Sequence, residues 1–243
     1  MSKIFAVTSG KGGVGKSTFS VGLSFGFLNK NKKVLLVDMD EGLRCLDLML
    51  GMDENVVFDL ADILNGRDLS DCIYPYPKNH NLHLIPAPHK PGLIDTSLFA
   101  DFVKKIENTY DIIIFDFPAG IDFSLYECLP KTTLFLTVAN PDPVTIRDAA
   151  VVSTALCEIN AKSKLIINNF DYSLVKKKLF NNIDNIIDKS NLQLLGIVPK
   201  SAELSLLSTK HIIKPKGRAM KAFERIVCRL NGETVLLPAL KKI

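Results

Sequence analysis

The sequence predicts one three-layer α/β/α domain on a mostly parallel, twisted sheet of about seven to eight strands. Short apolar runs alternate with stretches of helical periodicity, the pattern of a parallel sheet covered on both faces. The runs are apolar almost without interruption, as strands buried between two helical layers must be. With 243 residues, 47% of them hydrophobic and 23% charged, the chain can bury a sizeable core.

Residues 4–8 (Ile-Phe-Ala-Val-Thr) read as the first strand and residues 17 to about 29 as the first helix. A second strand covers 34–37 and a helix 56–64. The Pro-rich piece from Tyr74 to Pro91 is a connection around a weaker strand, 82–85. A helix over 97–106 precedes the strand 112–115. The strand 134–138, the helix 146–157 and the strand 165–167 continue the alternation, followed by a helix over 174–187 and a strand over 194–198. The last helix, 217–230, carries Ala219, Phe223, Ile226, Val227 and Leu230 on one face, and Gly232 is its expected stop. With no linker, repeat or low-complexity tract, one domain over 1–232 is expected, followed by a short tail, 233–243.

Composition narrows the class. A net charge of +4 permits loose attraction to acidic membranes or nucleic acid but demands neither. Five cysteines (Cys45, Cys72, Cys128, Cys157, Cys228) without a C-x-x-C pair suit a reducing cytosol, where they serve packing. The opening residues read as a strand, so a cleavable leader is not expected, and no apolar run approaches the roughly 18 residues of a membrane span. The expected location is cytoplasmic, at most peripheral on the inner face of the membrane. His80, His83 and His89 lack the cysteines or carboxylates of a zinc set and read as surface residues, and Lys176-Lys177-Lys178 reads as a solvated helix face.

The chemistry starts at Gly10-Lys11-Gly12-Gly13-Val14-Gly15-Lys16-Ser17, which fits the phosphate-binding loop G-x-x-x-x-G-K-[ST] between a strand and a helix. Its glycines let successive N–H groups turn toward phosphate oxygens, and the helix behind adds its positive end. Lys16 is placed to reach the β- and γ-phosphates, and the Ser17 hydroxyl to ligate Mg²⁺. Residues 112–115 end in Asp116, the Walker B pattern. That puts a carboxylate at the strand's carboxyl edge, acting on Mg²⁺ through a bound water; a helix cap is the blander alternative. The strand 34–37 ends in Asp38-Met39-Asp40. Alternation turns both aspartates to one side, beside the phosphate loop if the strands are neighbours. Asp40 is the candidate for orienting an attacking water, and Asp38 for the metal's outer shell. A solvated loop of carboxylates is the alternative.

Lys11, inside Gly10-Lys11-Gly12-Gly13-Val14-Gly15-Lys16-Ser17-Thr18, resembles the signature lysine in the deviant Walker A loop of the MinD/ParA ATPases. The segment Val37 to Leu48, with Leu46-Asp47 and then Gly51, is similar to the MinD-type pattern after the second strand. Asp116-Phe117-Pro118-Ala119-Gly120-Ile121 resembles the family's switch, and Asn140-Pro141 with Arg147-Asp148-Ala149 its next segment. The resemblance runs to about Gly232. It implies ATP and Mg²⁺ as cofactors, an ATP-dependent homodimer, and Lys11 reaching the partner's phosphates. It also implies an adenine held at Asn168 and at the loop after Pro199. Three features depart from the pattern: Lys200-Ser201 replaces an acidic pair, Glu41 and Phe117 stand where other residues are common, and Pro238 interrupts a tail that in MinD proteins is a basic amphipathic helix. A tail packed on the body is therefore expected, and membrane binding is weakly supported.

The function these features favour is a MinD-like ATP hydrolase acting as a spatial switch, for instance at the cell-division site, with a protein partner that stimulates hydrolysis. A ParA-like DNA-coating or cargo-positioning ATPase and a nucleotide-loaded adaptor of a flagellar or pilus system stay open. The modest charge disfavours nucleic acid, and a metal-cluster carrier lacks its bridging cysteine pair.

Overall fold

The apolar runs become neighbouring strands of one sheet. The computed structural model describes residues 1–176, 183–205 and 216–243. Its strands are β1 (Lys3–Thr8), β2 (Val34–Asp38), β3 (Tyr74–Pro75), β4 (Leu82–Ile85), β5 (Ile112–Asp116), β6 (Leu134–Ala139), β7 (Lys162–Phe170) and β8 (Leu194–Pro199). They form an eight-stranded sheet in the order β3-β4-β2-β5-β1-β6-β7-β8. Every pairing is parallel except the two-residue contact of β3 with β4.

The order puts β5 between β1 and β2, so the Asp38–Asp40 turn does not neighbour the phosphate loop's strand directly. In register, Asp116 lies between Val7 of β1 and Asp38 of β2. β1 feeds β2 on one side while β6 lies on its other side. This reversal opens the crevice at which ligands bind in open α/β sheets.

Helices cover both faces. They are α1 (Lys16–Leu28), α2 (Leu46–Leu50), α3 (Leu60–Leu64), α4 (Thr96–Ile106), α5 (Phe123–Glu127), α6 (Pro143–Glu158), α7 (Tyr172–Lys176), α8 (Ile183–Ser190), α9 (Ala202–Ser205) and α10 (Gly217–Leu230). One core joins Phe5, Val7 and Leu36 of the sheet to Phe19 and Phe27 of α1 and Phe223 of α10. A second joins Leu35, Ile113 and Phe115 to Phe99 and Phe102 of α4 on the opposite face. Gly22 allows the close approach of α1 and α10, because a Cβ there would stand 2.1 Å from the Phe223 ring.

Local chemistry moved several boundaries. The helix expected over 56–64 starts at Leu60, because Asp59 and Asp62 make a capping box. Before it, the Tyr74 hydroxyl accepts from the N–H groups of Val57 and Phe58 and holds the chain extended. α6 begins earlier than its periodicity suggested, since Asp142 caps it and Pro143 occupies its first turn. The helix expected over 174–187 corresponds to α7 and α8. Lys177 and Lys178 lie outside the described residues. His80 and His89 are exposed as expected, but His83 is half-buried on β4, edge-on to Tyr110.

The chain after α10 turns at Gly232 and runs back along the β8 side. Arg229 donates from Nε to the Val235 carbonyl at 2.9 Å and from Nη1 to the Leu195 carbonyl at 2.5 Å, fastening it. Ile243 is buried among Phe170, Ile167 and Ile197. No described helix is long and apolar enough to cross a membrane.

Candidate functional site

The phosphate loop leaves β1 at Thr8 and enters α1 at Lys16. Gly13 and Gly15 take positive φ values of 78° and 88°, a region that glycine occupies without strain. Gly15 is also hemmed in, since a Cβ there would lie 2.4 Å from Asn168 Nδ2. Above Gly12 and Gly13 an added Cβ meets nothing within 4 Å, leaving room over the loop. Asn168, 3% exposed, donates from Nδ2 to the Val14 carbonyl at 2.8 Å and so supports the loop from beneath. Ser9 Oγ donates to the Lys11 carbonyl at 2.8 Å, and Gly120 N–H donates to the Ser9 carbonyl at 2.9 Å. The Lys16 side chain is buried, Ser17 and Thr18 are half-buried at the start of α1, and Lys11 is exposed.

Asp116 is fully buried beneath this loop. Its Oδ1 accepts from Ser20 Oγ at 2.8 Å, whereas its Oδ2 is buried without a protein partner. Burial pushes this carboxyl up to about 6, while the Ser17 and Ser20 hydroxyls and the Lys16 ammonium pull it down and Asp40 opposes them. A buried oxygen without a donor is costly in an otherwise satisfied site. It fits a hydrated cation, and Ser17 stands beside it.

Asp38 lies in register with Asp116 and is just as buried, but its oxygens are used differently. Oδ1 accepts from the N–H of Asp40 at 3.0 Å, and Oδ2 from those of Cys45 at 3.2 Å and Leu46 at 3.1 Å. The carboxylate therefore folds the 40–46 loop back over the strand end. Burial pushes it up to about 7, the Asp116 charge adding to this and the three N–H groups opposing it. Leu46 and Asp47 finish the loop: Leu46 is buried, and Asp47 pairs with Arg44 Nε at 2.6 Å. Asp40 sits half-buried at the loop's start.

The segment after Asp116 is tied down from both sides. Phe117 is buried edge-on to Tyr126, whose hydroxyl donates to the Gly120 carbonyl at 3.2 Å. Gly120 itself has φ 105°. At the far side, Pro199 ends β8 opposite Phe170. Next to it opens a cleft of about 510 Å³ lined by Phe170, Pro199, Lys200, Arg218 and Ile243, among others. Asn168 hydrogen-bonds the phosphate loop at Val14 and is not among the residues that line this cleft. Lys11 touches none of the buried carboxylates by any hydrogen bond or ion pair among the described residues.

Two residues at the site escaped the sequence reading. Ser20 lies three positions beyond Ser17, which on a helix faces the same way, and that spacing was the available signal. The Cys45 thiol lies near Ser17, with burial and the Asp38 charge pushing it up to about 12, so it stays protonated. Nothing in its sequence context marked it.

A parallel α/β sheet with a glycine loop at its switch point, a buried lysine behind the loop and an unpartnered carboxylate oxygen below it defines a P-loop nucleotide-binding protein. The comparisons narrow this. A family model described as AAA domain matches residues 2–147. The septum site-determining protein MinD of Helicobacter pylori is 31% identical, over 97% of this chain and 92% of its own length. The MinC:MinD cell division protein complex of Aquifex aeolicus superposes with a TM-score of 0.88 at 30% identity, covering 98% of this chain and 99% of that one. MinD of Pyrococcus horikoshii in complex with Mg-ADP gives a TM-score of 0.82 at 25% identity, over 95% and 96% of the two chains. The chain belongs to the MinD/ParA family of P-loop ATPases.

Proposed function

We propose that this protein is a Mg²⁺-dependent ATP hydrolase that dimerises around its nucleotide and acts as a MinD-like switch positioning the division site. The unpartnered Oδ2 of Asp116, buried beneath the phosphate loop, carries the proposal: a resident cation gives that oxygen its missing partner.

The loop N–H groups of Gly10 to Ser17, with Thr18 behind them, cradle the phosphates, and Lys16 neutralises the β- and γ-phosphates. Ser17 ligates the metal, Asp116 holds it through water, and Asp38 acts one layer further out by holding the 40–46 loop. When bound, Mg²⁺ supplies charge neutralisation at the transferred phosphoryl group. Asp40 orients the attacking water, since such transfer is mostly positioning and charge stabilisation. The exposed Lys11 reaches across to the partner protomer's phosphates. Asn168 and Pro199 flank the adenine, with Asn168 also steadying the loop at Val14. Residues 1–232 form the ATPase domain and 233–243 its tail. Aquifex MinD forms a complex with MinC, and for this chain too a protein partner would stimulate turnover.

Lys11→Ala is expected to leave ATP binding intact and abolish stimulated hydrolysis, read as phosphate release with and without partner. Asp40→Ala with ATP is expected to scatter light as a dimer. A monomer under every nucleotide condition would overturn the dimer mechanism.

A further inference from the structure

We infer that Glu41 is a positioning residue: its carboxylate clasps the loop before α4 and thereby fixes the backbone that carries Asp40. This rests on the reading that Asp40 orients the attacking water.

The observation is a carboxylate that satisfies three consecutive main-chain donors. Glu41 Oε1 accepts from the N–H of Leu93 at 2.8 Å and of Ile94 at 2.9 Å, and Oε2 accepts from that of Gly92 at 3.1 Å. Gly92 has φ 81°, and successive N–H groups around such a residue converge into an anion-holding concavity. The chain fills that concavity with its own side chain. A second contact repeats the link one residue on, where Gly42 N–H donates to the Pro88 carbonyl at 2.9 Å. Gly42 has φ 78°, and an added Cβ would stand 3.3 Å from Pro91 Cδ, so the two loops are closely apposed.

The geometry places Asp40 between two carboxylate anchors. Asp38 takes its N–H from the sheet side at 3.0 Å. Glu41, the next residue, grips a loop that leads into α4, whose first turn is capped by Asp95 accepting from Ser97 and Leu98. A half-buried aspartate in a loop is otherwise free to swing. Here, its backbone is bound to the end of β2 on one side and to a helix entrance on the other. Charge-assisted bonds to main-chain donors are the stronger kind, and three on one side chain set direction as well as distance.

The test uses the full chain with Glu41→Ala and Glu41→Gln. The glutamine carbonyl can still accept from Leu93 and Ile94, whereas alanine accepts nothing. Amide hydrogen exchange at 40–43 and 92–94 should quicken about tenfold or more in Glu41→Ala. In Glu41→Gln it should stay near the parent at 40–43, Leu93 and Ile94, with only Gly92 N–H losing its acceptor. At saturating Mg-ATP, kcat should fall about tenfold in Glu41→Ala, with ATP Kd within about twofold, and recover in Glu41→Gln. Unchanged exchange in Glu41→Ala overturns the clasp. Faster exchange with unchanged kcat, in a protein whose hydrolysis Asp40→Ala abolishes, overturns the positioning role. Unchanged hydrolysis in Asp40→Ala instead marks the failure of the water-orienting reading, and the positioning role goes with it while exchange still reports on the clasp.

Discussion

The ends of β2 and β5 carry the same residue, at the same height, in register, and fully buried, yet they do different work. Asp38 gives both oxygens to main-chain N–H groups of its own loop. Asp116 gives one oxygen to Ser20 and keeps the other free. The difference comes from the path the chain takes beyond each strand. After β2 it turns back within eight residues and brings the N–H groups of Cys45 and Leu46 over the strand end. After β5 it leaves toward Pro118 and Gly120 and returns no donor to Asp116. Burial with donors ties a loop to the strand end, and burial without them leaves an oxygen open to a ligand.

The sharpest way to break this contrast is to neutralise each end in turn. Asp116→Asn should keep the fold and ATP binding but reduce Mg²⁺-dependent hydrolysis by about a thousandfold, near 4 kcal/mol in the barrier. Phosphate release at saturating ATP across a Mg²⁺ titration checks it. A loss restored by more Mg²⁺ would mean that Asp116 acts only in metal affinity.

Asp38→Ala should act the other way, on stability first. It strands three main-chain donors, and leaving such groups unsatisfied costs about 1–3 kcal/mol. Urea unfolding should show a lowered midpoint with an unchanged slope, and exchange should quicken at 40–46. If stability is unchanged while hydrolysis collapses, Asp38 belongs with the metal's surroundings and not with the loop.

The phosphate loop was legible in the sequence because Gly10 to Ser17 is contiguous and its flanking strand and helix have opposite periodicities. The parallel sheet was legible because its strands are apolar on both faces. Asp116 was legible as a carboxylate ending such a strand. The division of labour between Asp38 and Asp116 was not, because alternation tells which side a residue faces and not which donors fold back over it. The support of Val14 by Asn168 spans 154 positions and has no local signature. Glu41 shows only as an unusual residue until the 88–94 loop lies against it. The helix expected at 56–64 is shortened by a cap whose two aspartates, Asp59 and Asp62, are visible in sequence, while the apolar Val56-Val57-Phe58 before them looks like part of the helix.

The smallest effect expected is the pH difference between the two ends. Both carboxyls titrate higher when folded than their ordinary value near 3.8, Asp116 at about 6 and Asp38 at about 7. Between the unfolded and folded values the native state holds more protons than the unfolded one, so stability without nucleotide should fall as pH rises from about 4 toward 7. His83 acts oppositely: burial and the nearby Lys33 and His80 lower its titration, so it favours the folded state as pH rises through about 6.5. Measured in a His83→Gln background, Asp116→Asn should make the fall shallower and end it at a lower pH, because the Asp116 charge no longer helps to hold Asp38 up. A slope that vanishes altogether in Asp116→Asn would mean that the two carboxyls titrate as one group. In that case the carboxyls at β2 and β5 share a proton, and the donors around Asp38 do not set it apart.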